Sequence, residues 1–170
     1  MERKGIVTVK GNPVTLIGSE VKVGDKATDF TVVDGDLKDI RLKDFAGKMK
    51  MISVSASLDT PVCDTQARRF NQEAAKLPED VVILNITMDL PFAISRFCTT
   101  AGIDKVHAYS DHRDASFGNA YGVLIKELRL LARSIFIVDK NDIVQYVEIV
   151  PELTDHPDYD KALGALKKLL

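Results

Sequence analysis

Three short apolar runs, separated by segments with helical periodicity, constrain the fold of this chain most strongly. These runs are rich in Ile, Val and Met, and they extend from Met49 to Ser55, from Val81 to Thr87 and from Ser134 to Val138. Each is short enough for a strand and predominantly apolar, as is typical of strands covered on both faces. Helices are predicted between them, from about Pro61 to Leu77 and from Pro91 to Gly102. This alternation predicts an α/β domain.

The two ends of the chain extend this pattern. Apolar residues alternate from Val7 to Leu16 on both sides of a Gly-Asn-Pro turn, which predicts an N-terminal β-hairpin. The turn Asp139 to Asp142 predicts that Ile143 to Ile149 returns antiparallel to the preceding strand, and a last helix is predicted from Pro157 to Leu170. The result is a mixed central sheet flanked by helices. This order is compatible with a thioredoxin-like fold, although flavodoxin-like orders give a similar pattern.

Length and composition exclude several classes of protein. The 170 residues are expected to form one domain, 1–170, with a sizeable core. The net charge is −2, from 23 basic and 25 acidic residues, so no nucleic-acid partner is expected. The first ten residues lack the apolar segment of a signal peptide, and no apolar run reaches bilayer length. Two cysteines are too few for a disulfide scaffold, and together with the missing signal peptide they favour a reducing cytoplasm. No membrane association is expected, because no apolar run is long enough.

Cys63 lies in the stretch SLDTPVCDTQARRF, at a predicted helix start. If Thr60 is the N-cap and Pro61 the first helical residue, Cys63 falls in the first turn. Free backbone N–H groups and the positive end of the helix dipole lie there, and both favour a thiolate over a thiol. The alternative is that Cys63 is a small apolar residue that fills space at a helix start. Spacing alone does not decide between these two interpretations.

The second cysteine, Cys98, has two interpretations as well. It shares an apolar helical face with Ile94, Phe97 and Ala101, which favours an ordinary core position. The functional alternative is a partner thiol for Cys63. Because a permanent bridge is disfavoured in a reducing compartment, such a disulfide would be transient and catalytic.

Other kinds of redox or hydrolytic site have no signature in this sequence. No C-x-x-C occurs, and neither does a glycine-rich phosphate loop or a G-x-S-x-G elbow. The three histidines, His107, His112 and His156, are scattered and lack metal-ligand spacing with the cysteines. No metal or cofactor is therefore expected.

Four motifs together identify a family resemblance. The segments LDTPVCDTQARRFN, DLPFAISRFC, SDHRDASFG and IKELRLLARSIFIVD resemble those of thiol peroxidases, the atypical two-cysteine branch of the peroxiredoxins. The resemblance extends from the N-terminal hairpin to the last helix. It implies a thioredoxin-like fold with an added N-terminal hairpin, and an enzyme that reduces hydrogen peroxide and alkyl hydroperoxides.

The same resemblance assigns roles to individual residues. Cys63 corresponds to the peroxidatic cysteine and Cys98 to the resolving cysteine, which implies a Cys63–Cys98 intramolecular disulfide. Thr60 corresponds to the hydroxyl that orients sulfur and peroxide, and Arg133 to the guanidinium that completes the pocket. The resemblance also implies thioredoxin as reductant and a homodimer with its interface near the active site.

Two positions depart from the family pattern. Ala56 stands where the family usually has proline, seven residues before the peroxidatic cysteine, and Thr28 stands where proline is common in an A-P-D/E-F segment. Neither change removes a reacting group, so an active enzyme with a looser site is expected. Three other functions remain open: a redox sensor using the same cysteines, a cysteine hydrolase with a histidine base, and a binding module with inert thiols.

Overall fold

The computed structural model describes residues 1–170, and they form eleven strands and four α-helices. The strands are β1 (Glu2–Val9), β2 (Asn12–Ile17), β3 (Thr31–Val33), β4 (Asp39–Arg41), β5 (Met49–Val54), β6 (Val81–Thr87), β7 (His107–Ser110), β8 (Leu124–Ile125), β9 (Leu130–Leu131), β10 (Ser134–Val138) and β11 (Val144–Ile149). The helices are α1 (Pro61–Ala74), α2 (Pro91–Ala101), α3 (Ser116–Ala120) and α4 (Tyr159–Lys167). A short 3₁₀ turn spans Leu42–Phe45. No helix has both the length and the apolarity needed to cross a bilayer.

Seven of the strands form the central sheet, in the order β11-β10-β5-β6-β7-β3-β4. β5, β6 and β7 are parallel to one another. β10 and β11 add antiparallel on one side, and β3 and β4 add antiparallel on the other. The predicted mixed sheet is confirmed, and the three apolar runs form three adjacent strands near its centre.

The N-terminal hairpin belongs to a second, smaller sheet, in the order β1-β2-β8-β9. β1 and β2 pair antiparallel, as predicted. Their turn is formed by Lys10 and Gly11, which both have positive φ (50° and 81°), rather than by the Gly-Asn-Pro tripeptide. A two-residue turn of this kind matches the twist of the strands it joins. The return strand therefore begins at Asn12, two residues earlier than the sequence suggests.

Side-chain alternation along the central strands divides the core into two layers. On one face, Ile52 and Leu84 pack in a large cluster with Phe117 of α3. On the other face, Met51 and Ile83 pack in a cluster that includes residues of α1 and α4. Because successive side chains in a strand point to opposite faces, both faces of β5 and β6 are buried. This burial explains why their sequences are predominantly apolar.

The predicted bounds of two helices differ from the observed ones, and one of these differences is that α4 ends at Lys167 rather than Leu170. α1 ends at Ala74 rather than Leu77, and the residue before Pro78 is disfavoured in helical conformation. α4 begins at Tyr159 rather than Pro157, because the Asp158 side chain accepts the N–H of Lys161 and caps the helix. These differences leave the order of elements unchanged.

Lys50 is the unexpected residue of the central sheet. It lies within β5, its side chain is completely buried, and its ammonium donates to Asp142 Oδ1 at 2.6 Å. Asp142 lies in the turn between β10 and β11, has φ of 61° and is 33% exposed. The ion pair therefore connects the middle of the sheet to the turn at its edge.

We expect Asp142→Asn to lower the free energy of unfolding by roughly 2–3 kcal/mol, because it leaves the buried Lys50 ammonium without a counter-charge. This is below the range for a wholly buried pair, since water reaches the carboxylate. Asparagine tolerates positive φ, so the turn itself is preserved. Urea unfolding measures the effect. Asp80→Asn is the matched control, because Asp80 pairs with Lys140 on the surface, and it should change stability little. Equal losses in the two variants would contradict the explanation.

Candidate active site

The start of α1 has the arrangement predicted from the sequence, with one difference. Thr60 is in the N-cap position with φ −110° and ψ 148°, and Pro61 and Cys63 are the first and third helical residues. The Thr60 side chain, however, caps no backbone N–H of α1. Its hydroxyl instead donates to the carbonyl of Ser57 at 2.9 Å. The backbone N–H groups of the first turn are therefore left free of a side-chain cap.

Cys63 is completely buried, and its sulfur accepts a hydrogen bond from Arg133 Nη1 at 3.2 Å. Arg133 directly precedes β10 and is 2% exposed. The structure therefore brings together Cys63 and Arg133, which lie 70 residues apart in the chain. A guanidinium is always protonated in proteins, so it places a fixed positive charge beside the sulfur.

Gln66 completes this arrangement, although the sequence analysis did not single it out. Its Oε1 accepts from Arg133 Nη1 at 2.9 Å, and its Nε2 donates to Ser53 Oγ at 2.7 Å. Gln66 is completely buried on the same side of α1 as Cys63. A polar side chain one helical turn after the cysteine, on a buried face, was the signal that could have identified it.

A cleft of about 300 Å³ opens over the start of α1. Its walls come from the segment 56–62, from the residue before β10 and from the segment after β11. The lining residues are Ala56, Thr60, Pro61, Val62, Arg133, Leu153 and Thr154. Thr60 and Arg133 thus face one space, with largely apolar surfaces around them. Ala56, where the family usually has proline, is part of this wall, whereas Thr28 is not.

Cys98 lies away from this arrangement. It is half-buried in α2, where it packs beside a small cluster formed by Leu58, Ala67 and Ile94. Both cysteines are free, and no disulfide joins them. Burial raises the pKa of the Cys98 thiol. The structure therefore shows Cys63 and Cys98 in a reduced, separated state.

The three histidines are not partners of Cys63. His156 Nδ1 contacts the hydroxyl of Tyr159 at 2.9 Å, and none of the three forms a hydrogen bond with the sulfur. The group that does contact it is the Arg133 guanidinium, which stabilises negative charge, and the Gln66 amide oxygen accepts from that guanidinium. Because a guanidinium has no acceptor atom, it is unsuited to act as a general base. The arrangement disfavours a cysteine–histidine hydrolase and suits a reaction in which anionic sulfur attacks and anionic oxygen leaves.

Comparison with known sequences gives a consistent result. Residues 22–163 match the family described as Redoxin. The chain is 57% identical over 164 residues to the thiol peroxidase of Halalkalibacterium halodurans, covering 96% of this chain and 98% of the relative. It is 58% identical over 164 residues to the thiol peroxidase of Bacillus subtilis, with the same coverage.

A solved structure gives the same result for the fold. The peroxiredoxin-like protein from Aquifex aeolicus superimposes with a TM-score of 0.91 and is 42% identical, covering 99% of this chain and 98% of that one. The thioredoxin-like fold expected from the sequence is thereby confirmed.

Proposed function

The chain belongs to the Redoxin family and is a thiol-dependent peroxidase of the peroxiredoxin type, and we propose that Cys63 is its peroxidatic cysteine and Cys98 its resolving cysteine. The observation that carries this proposal is the 3.2 Å contact between Arg133 Nη1 and Cys63 Sγ beneath the cleft at the start of α1. Hydroperoxides, hydrogen peroxide and alkyl hydroperoxides alike, are the proposed substrates.

In the first step, the Cys63 thiolate attacks the terminal oxygen of the hydroperoxide. The S–O bond forms, the O–O bond breaks, and the sulfur is oxidised by two electrons to a sulfenic acid. The leaving oxygen gains negative charge and takes a proton, which gives water or an alcohol. Arg133 and the free N–H groups at the start of α1 stabilise this charge, and we propose that the Thr60 hydroxyl orients the peroxide.

In the second step, the Cys98 thiolate attacks the sulfenic sulfur of Cys63, and water leaves as the disulfide forms. Cys63 is fully buried at the start of α1 and Cys98 lies inside α2. The two sulfurs therefore meet only after local unwinding of one or both helices. A dithiol reductant then exchanges with the disulfide, becomes oxidised itself and restores both thiols.

Thioredoxin is the proposed reductant, a homodimer the proposed assembly and the cytoplasm the proposed compartment. α2, which carries Cys98, begins with the exposed apolar side chains Leu90 and Phe92, as a protein-binding surface would. The test is sustained peroxide consumption by the wild-type protein with thioredoxin, thioredoxin reductase and NADPH. Continuous turnover supports the proposal. Oxidation that stops after one equivalent would instead favour a redox sensor, and inert thiols would favour a binding module.

The raised pKa of Cys98 gives the second step a pH dependence. The raised pKa means that the thiol predominates at neutral pH, and only the thiolate attacks. We therefore expect the rate of disulfide formation, after one equivalent of peroxide, to rise between about pH 7 and pH 9. Acid-quenched mass spectrometry would follow it, with Cys98→Ser as the control in which the sulfenic acid persists. A rate that is flat across this range would contradict the expectation.

Ala56 offers a test of the cleft as the peroxide site. Its backbone N–H makes no hydrogen bond, so Ala56→Pro removes none, and the added ring narrows the cleft. We expect activity on hydrogen peroxide to be equal or higher, while activity on a bulky substrate such as cumene hydroperoxide falls relative to it. The ratio of the two kcat/KM values measures this. A large loss with hydrogen peroxide would contradict the expectation.

A further inference from the structure

Arg133 donates to two groups besides Cys63: a single main-chain oxygen, which accepts two of its N–H groups, and the side chain of Gln66. Its Nε and Nη2 donate to the carbonyl of Leu153 at 3.1 and 2.8 Å, which leaves Nη1 for Cys63 and Gln66. A guanidinium is planar and rigid, so the position of this carbonyl sets the direction of Nη1. Whatever holds Leu153 therefore helps to set the contact with the sulfur, together with Gln66, which accepts from the same Nη1.

Leu153 belongs to a turn segment, Pro151–Thr154, that is fastened to the N-terminal hairpin. The N–H of Leu153 donates to the carbonyl of Thr8 at 2.9 Å, and the N–H of Thr8 donates to the carbonyl of Pro151 at 2.7 Å. Thr8 and Glu152 form an isolated parallel bridge. The hairpin, which lies outside the central sheet, thus supports one wall of the active-site cleft.

The Glu152 carboxylate also joins the Pro151–Thr154 segment to the N-terminal hairpin through hydrogen bonds. Its Oε1 accepts from the Thr8 hydroxyl at 3.0 Å and from the Gly11 N–H at 2.8 Å, both in the hairpin. Its Oε2 accepts from the N–H and hydroxyl of Thr154 at 2.9 and 2.8 Å. The hydrogen bonds from the backbone of Thr154 and Gly11 lower the pKa of Glu152 to about 2. The carboxylate is therefore ionised across the neutral range, and all four bonds are charge-assisted.

We propose that Glu152 is a positioning residue for the peroxide-reducing step: it fixes the Pro151–Thr154 segment on the N-terminal hairpin and thereby holds the Leu153 carbonyl that aims Arg133 at Cys63. This inference rests on the proposed roles of Cys63 and Arg133. Glu152 itself touches neither Cys63 nor Arg133, and it acts through the backbone of the segment.

The test is Glu152→Gln, measured as the second-order rate of Cys63 oxidation by hydrogen peroxide in single turnover. The amide NH₂ of glutamine donates and cannot accept, so the two hydrogen bonds to one of the Glu152 oxygens are lost. We expect the rate to fall roughly 10- to 100-fold, as misplaced catalytic groups cause. Glu127→Gln is the matched control, because the Glu127 carboxylate accepts the Thr15 N–H from the other strand of the same hairpin at 2.9 Å. That variant should keep the wild-type rate.

A double mutant separates positioning from general destabilisation. If Glu152 acts through Arg133, Glu152→Gln should cause no further loss of rate in an Arg133→Gln background. Thr8→Val removes one hydrogen bond to the carboxylate, so we expect a smaller loss of rate, which should also vanish in the Arg133→Gln background. A wild-type rate in Glu152→Gln, or an equal loss with and without Arg133, would overturn the inference while leaving the proposed function intact. A wild-type rate in Arg133→Gln would overturn both the role of Arg133 and the inference that depends on it.

Discussion

Replacing Cys63 with serine is expected to reduce peroxide consumption to the uncatalysed level, while replacing Cys98 with serine should leave one turnover per protein. A serine hydroxyl remains protonated and cannot take the place of a thiolate as nucleophile. Cys98→Ser retains the sulfur that is oxidised and the Arg133 contact, so Cys63 still reacts once. The reaction then stops, because the thiol that would resolve the sulfenic acid is absent.

The measurement is peroxide consumption by reduced protein, in the thioredoxin system and in single turnover. Dimedone labelling should trap a sulfenic acid on Cys63 in the Cys98→Ser variant. Cys63 is buried and Cys98 is half-buried, so thermal unfolding of each variant is the control for a folding defect. Full turnover by Cys63→Ser would contradict the assignment of the nucleophile. Full turnover by Cys98→Ser would contradict the assignment of the resolving thiol.

Arg133→Gln is expected to slow the oxidation of Cys63 by peroxide about 10²- to 10³-fold, as the loss of one preorganised donor to a developing anion does. The variant removes the charge beside the sulfur and the donors held by Leu153. Arg133→Lys should recover part of the rate, because it restores the charge but not the rigid fork of donors. Stopped-flow mixing with hydrogen peroxide, in competition with a second peroxidase, gives the rate constant.

Arg113→Gln is the matched control for this prediction. Arg113 pairs with Asp39 on the surface and is not part of the cleft wall, so its loss should leave the peroxide rate unchanged. Circular dichroism would establish that Arg133→Gln is folded, since the arginine is buried. A rate within a factor of about two of wild type in folded Arg133→Gln would show that the guanidinium is not needed.

The sequence predicts the central elements well because their signals are local. The predicted bounds of β6 and β10 are the observed ones, since charged residues lie close to both ends of each apolar run. The two-residue strands β8 and β9 were missed. They exist because β8 pairs with β2 of the hairpin, which is a tertiary contact with no local pattern of its own.

In the site, too, the features set by neighbouring residues are predictable from the sequence, and the contacts between distant segments are not. The helix start at Thr60, Pro61 and Cys63 is predictable because proline favours the first helical position, although the Thr60 side chain caps no N–H. The meeting of Cys63 with Arg133 depends on how α1 packs against the sheet, so only the family resemblance suggested it. The support from Glu152 joins segments at opposite ends of the chain and was not foreseen.

The most direct test of the central claim is peptide mapping of the wild-type protein after one equivalent of hydrogen peroxide. We expect one intramolecular disulfide between Cys63 and Cys98 in nearly all of the protein, and its loss on addition of reduced thioredoxin. A protein that accumulates sulfinic acid on Cys63 with Cys98 still reduced would contradict it. So would a disulfide that joins two copies of the chain through Cys63.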